Sequence, residues 1–99
     1  MYKIVYLPRA VEDITGAIEY LVTKFNSPSA AESLLTELNR IVGLLREFPH
    51  SNELYLPGRP MRDEIRRVPV RGYVLFYAVK DDMVEIRRLL HERQDRRIL

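Results

Sequence analysis

Ninety-nine residues suffice for one small domain, residues 1–99, with one modest core; any site is then a shallow groove or a surface, not a deep enclosed pocket. Hydrophobic residues at 46% and charged residues at 30% are the balance of an ordinary globular chain. The absence of cysteine excludes disulfides and thiolate metal sites, and the two histidines, His50 and His91, lack metal-ligand spacing, so neither a metal nor a cofactor is expected.

The opening MYKIVYLPRA does not read as a signal peptide, and no apolar run approaches the roughly 20 residues of a membrane span. A cytoplasmic chain with no membrane partner is expected. Net charge is +2, but unevenly spread: residues 1–50 carry −1 and residues 51–99 carry +3, with arginine dominating the second half. The arginine fork suits phosphates and carboxylates. This asymmetry fits a nucleic acid, an acidic protein or a plain solvated face, and composition does not choose among them.

Residues 2–7 (YKIVYL) are β-branched and aromatic, and Pro8 ends them, which predicts a strand. From 10 to 25 the apolar residues Val11, Ile14, Ala17, Ile18, Leu21, Val22 and Phe25 recur at helical spacing. Pro8 fits the first turn of that helix, and Gly16 weakens it by about 1 kcal/mol relative to alanine. Asn26 breaks it. Ser27 is then a good N-cap and Pro28 a good first residue for a second helix, predicted to run to about Phe48 before Pro49. Its stripe is Ala31, Leu34, Leu35, Leu38, Ile41, Val42, Leu45 and Phe48. A link this short makes the two helices a hairpin.

Residues 50–61, with Pro57, Gly58 and Pro60, are expected to form a loop. Residues 63–68 predict a polar strand with Ile65, and Val68 beside it, facing inward. Val70-Arg71-Gly72 is a turn, and 73–79 and 83–90 are a hairpin about Lys80-Asp81-Asp82. Val84 and Ile86 alternate with Glu85 and Arg87, the period of a sheet with one buried and one wet face. The order βααβββ implies an α+β fold, with a helical hairpin on one face of a small, mainly antiparallel sheet.

Several short patterns are spread along the whole chain. They are Y-x-I-x-Y-L-P-x-A from Tyr2 to Ala10 with Asp13-Ile14 following, Ala30-Ala31, and Leu45-x-x-Phe48-Pro49. The second half adds Ile65-Arg66, Gly72-Tyr73-x-x-Phe76-Tyr77, Val84-x-Ile86-x-Arg88 and His91-x-Arg93-x-Asp95. In this order and spacing they resemble the RelE/ParE superfamily of toxins from type II toxin–antitoxin systems, with the ParE type nearest. The resemblance implies a toxin neutralised by a cognate antitoxin. It also implies one of two modes: a ParE-like member inhibits DNA gyrase without a reaction of its own, and a RelE-like member cleaves messenger RNA on the ribosome.

Cleavage of RNA through the 2′-OH needs a base, cations for the developing charge and an acid for the leaving oxygen. Of the RelE-type set, the resemblance matches Arg66 and Arg93. The position of its other arginine is Val74, that of its lysine is Glu64, and that of its C-terminal tyrosine falls near Leu99. An alternative nuclease set in the family would use Glu64, Arg66 or Arg67, and His91, since histidine titrates near neutrality. Three missing roles favour the ParE-like mode. Candidate antitoxin contacts are Ile14, Ile18, Leu21 and Val22 on the first helix, which carries more apolar surface than one packing face needs, together with Arg67, Arg96 and Arg97. Tyr73, Phe76 and Tyr77 are expected to serve the core, and His91 to bond Asp95 or backbone.

Overall fold

A computed structural model of the protein describes residues 1–56 and 58–94. The elements are β1 (Lys3–Tyr6), α1 (Pro8–Thr23), α2 (Pro28–Leu45), β2 (Leu54–Tyr55), β3 (Ile65–Val70), β4 (Tyr73–Lys80) and β5 (Met83–His91). They build one sheet in the order β1-β5-β4-β3-β2, with β1 parallel to β5 and every other neighbour antiparallel. The fold is α+β, with the helices on one sheet face.

Both helices start where the prolines place them. Pro8 and Pro28 sit in the first turns, where a missing N–H costs nothing. The Ser27 hydroxyl accepts the Ala30 N–H at 3.2 Å, the expected N-cap. Asn26 takes a left-handed φ of 51°, which lets the Phe25 and Ser27 amides reach the Tyr20 and Leu21 carbonyls and close α1. α2 ends at Leu45, one turn earlier than its apolar stripe suggests; Phe48 stays exposed while its N–H bonds the Leu44 carbonyl.

The main core lies between helices and sheet. Leu34, Leu38, Ile41, Val42 and Leu45 of α2 meet Val70, Leu75, Tyr77, Val84, Ile86 and Leu89. Each fully buried aliphatic side chain there contributes about 1.5–3 kcal/mol. The expected wet face carries a second buried cluster, Ile65, Val74, Phe76, Ala78 and Leu90, covered by Tyr55 and Met61 of the 50–61 segment. That segment is not all loop. Leu54 and Tyr55 add a two-residue strand to β3. Three tethers hold its start: Arg66 Nη1 donates to the Asn52 carbonyl at 2.8 Å, the Tyr77 hydroxyl donates to the Pro49 carbonyl at 2.6 Å, and Asn52 Nδ2 donates to that hydroxyl.

A bulge in β5 decides which residues face α1. Phe76 pairs with Arg88 but Tyr77 with Ile86, so Arg87 is extra and the alternation resets. Before it, Val84 and Ile86 face the helices; after it, Leu89 and His91 do. β1 stops at Tyr6, leaving the outer edge of β5 beyond Ile86 without a strand. Asp13 of α1 closes it. Its carboxylate accepts the Leu89 N–H at 3.0 Å and two bonds from Arg88, Nε at 2.7 Å and Nη2 at 3.0 Å.

Candidate functional site

Between α1 and the His91 end of the sheet lies an open groove of about 730 Å³. Helical period puts Glu12, Gly16, Tyr20 and Leu21 along one wall, with Phe25 just past the helix. The other wall is Tyr73, Leu89 and His91, flanked by Arg71 before it and by Arg93 and Gln94 after it.

Arg71 reaches the rim because β3 and β4 are joined by two residues, Arg71 at φ 45° and Gly72 at φ 85°, the double positive φ that matches strand twist in a tight hairpin. Glycine takes this conformation freely; arginine takes it at a cost. His91 packs edge-on to Tyr73 with ring centroids 5.4 Å apart. Its Nδ1 accepts the Arg93 N–H at 3.3 Å. The strand end is closed by Gln94, whose Oε1 accepts the His91 N–H and whose N–H donates to the His91 carbonyl. Tyr20 and Phe25 stack edge-to-face at 5.2 Å and stand 49% and 62% exposed. Burial against the wall, with Tyr20 beside it, pushes the Tyr73 phenol above its ordinary pKa.

The groove carries two arginines, Arg71 and Arg93, at its rim and the acidic Glu12 on the α1 wall, with Glu37 of α2 acting on Arg71 from a distance. Asp13 is taken by Arg88, whereas Arg71 and Arg93 make no ion pair within 4 Å among the described residues. Such a surface can hold an apolar or aromatic group flanked by anions. Among the described residues, no group of three or more His, Asp or Glu could hold a metal ion.

Of the residues singled out in the sequence, His91, Arg93 and Leu21 meet in this groove. Ile14 and Ile18 are half-buried against the main core, and Val22 is exposed on α1. Arg66 and Glu64 lie elsewhere. Arg66 pairs with Tyr77, whereas His91 pairs with Tyr73. That offset is four residues along β4, about 13 Å at roughly 3.3 Å per residue, with a strand between. Arg66 is spent on the carbonyls of His50 and Asn52, and Glu64 is exposed ahead of β3. Arg67 is on the opposite face, donating to Glu53 at 2.9 Å above the Tyr55 ring. Asp95, Arg96 and Arg97 lie outside the described residues. Phe76 and Tyr77 are core residues as expected; Tyr73 belongs to the groove wall as well. Sequence reasoning passed over Tyr20 and treated Arg71 only as part of a turn.

The family profile described as "ParE toxin of type II toxin-antitoxin system, parDE" matches residues 4–96. The chain belongs to the ParE toxin family. Solved structures that resemble this ParE-family toxin include the following two. A chain of the "Chromosomal ParDE TA system from P. aeruginosa" aligns with TM-score 0.72 over 92% of this chain and 96% of that one, at 15% identity. A chain of the E. coli DinJ-YafQ toxin-antitoxin complex aligns with TM-score 0.56 over 91% of each, at 14% identity. At those identities both report the shared fold. No curated protein matches the sequence. Among the described residues of this ParE-family chain, no helix is long and apolar enough to cross a membrane.

Proposed function

We propose that this ParE-family toxin works by binding: it inhibits an essential cytoplasmic protein, DNA gyrase, and its cognate antitoxin neutralises it by covering α1. The observation carrying the first half is the dispersal of the nuclease candidates. Arg66 is committed to loop carbonyls and Glu64 stands apart, so neither joins His91 and Arg93 in one cleft. The second half rests on α1 and its end, where Val11, Tyr20 and Val22 of the helix and Phe25 just past it remain exposed, while Ala10 and Ala17 are the helix's buried residues. Leu21 and Val22, with the flanks of Ile14 and Ile18, supply apolar contacts for the antitoxin, and Arg67, Arg96 and Arg97 supply charge for acidic segments.

The test is a supercoiling assay with purified gyrase and relaxed plasmid. The toxin is expected to stop supercoiling or to trap broken DNA, the antitoxin to reverse this, and His91→Ala to leave it unchanged. Full gyrase activity at saturating toxin contradicts the reading. A second reading, a ribosome-dependent messenger-RNA endonuclease, draws on one observation: His91 and Arg93 share a groove with Tyr73. It requires message cleavage on ribosomes that His91→Ala abolishes.

A further inference from the structure

Gly16 sits mid-helix in α1, where glycine is unfavourable relative to alanine. The fold does not demand it. Its φ is not positive, and a Cβ built there meets nothing within 4 Å. Neither backbone conformation nor any neighbour of that Cβ among the described residues excludes a side chain there. What a side chain would fill is the groove, since Gly16 lines it. Around this gap stand two exposed aromatics, Tyr20 and Phe25, and two arginines, Arg71 and Arg93, without an ion pair among the described residues. Exposed aromatics at a concave patch are the usual anchors of a protein contact, and unpaired arginines on its rim ask for carboxylates.

We propose that Gly16 is the point where a segment of the antitoxin crosses α1 in close contact. The segment seats an apolar or aromatic side chain against Tyr20, Phe25 and Tyr73, and sets carboxylates on Arg71 and Arg93. This rests on the reading that the antitoxin covers α1, and adds to it the crossing point and the chemistry of the crossing segment. Occupancy also covers His91 and Arg93, which line the groove.

The experiment measures affinity of the full-length toxin for its cognate antitoxin, purified from the co-expressed complex. Gly16→Leu fills the groove while raising helix propensity, so it is expected to fold with an undiminished Tm and to bind more than about tenfold more weakly. Gly43→Leu is the control: Gly43 is an equally open helical glycine in α2, outside the groove. It is expected to bind normally. Arg71→Glu and Arg93→Glu are each expected to weaken binding by about tenfold and to flatten its salt dependence. Wild-type affinity in Gly16→Leu overturns the proposal. Val22→Asp then separates the two claims: if it alone weakens binding, the antitoxin covers α1 but not the groove; if it too is silent, the parent reading fails. Should Gly16→Leu spare antitoxin binding and instead abolish gyrase inhibition or change the oligomeric state of the free chain, the groove belongs to the target or to a second copy, and the proposal is wrong.

Discussion

Asp13 accepts three hydrogen bonds at the outer edge of β5. One carboxylate satisfies an arginine fork and a strand amide, with the Asp13 and Arg88 side chains 14% and 10% exposed. Removing the carboxylate takes two charge-assisted bonds from Arg88 and the acceptor of the Leu89 amide. Asp13→Ala is therefore expected to cost about 2–4 kcal/mol, read as a fall in the urea midpoint at unchanged slope. A loss below about 1 kcal/mol would mean that water takes over the role of the carboxylate. Asp63 gives a pH signature. The hydrogen bond from Arg87 holds its carboxyl below the usual range, against partial burial, with Lys80 assisting. A depressed folded-state pKa stabilises the fold above the unfolded value, near 3.9, and that contribution disappears as pH falls below it. Between pH 5 and pH 3 the wild type should lose more stability than Asp63→Asn; equal losses would show the ion cluster to be neutral for folding.

The elements differ in how plainly their sequences announce them. α2 is legible because Ser27, Pro28 and an unbroken apolar stripe agree, and because tertiary contacts bury the same face that the period marks. β2 is not. Two residues are too few for any period, and Leu54-Tyr55 becomes a strand only because Arg66 and Tyr77 pin residues 49–52 beside β3. The bulge leaves a faint trace, three residues from Ile86 to Leu89 where two would keep the alternation, and it explains why Leu89 and Leu90 are both buried, on opposite faces. The Tyr77 tether can be tested at high pH. Burial raises its phenol above the ordinary value near 10, outweighing the Asn52 hydrogen bond and Arg66, so its contribution holds below that pH and is lost as pH climbs through the raised value. Tyr77→Phe should remove part of the alkaline loss of stability seen in the wild type. In α1, Gly16→Ala should raise stability by about 1 kcal/mol, since a methyl there touches nothing; destabilisation would imply a packing role that the geometry lacks.

For the whole molecule, the order βαα followed by strands was enough to place helices on one face of a sheet, since no other layer arrangement buries both stripes. The second cluster and the closed outer edge of β5 depend on contacts between distant segments, and no local pattern records them. The site was legible in pieces. His91, Arg93 and Leu21 are brought together by topology, while Arg66 and Glu64, neighbours of one another in sequence, are held about four residues of strand away. Arg71 could have been found only by noting that a two-residue turn aims its side chain outward beside the last strand. The proposed binding mode rests on this arrangement: His91, Arg93 and Leu21 line one groove, and Arg66 and Glu64 do not join them. The most direct measurement is induced expression of the toxin without its antitoxin in bacteria, with message integrity and plasmid supercoiling read from the same culture. Intact messages with altered supercoiling or broken DNA, unchanged by His91→Ala, are the predicted result. Messages cut within translated codons at normal supercoiling, with the cutting gone in His91→Ala, would contradict it.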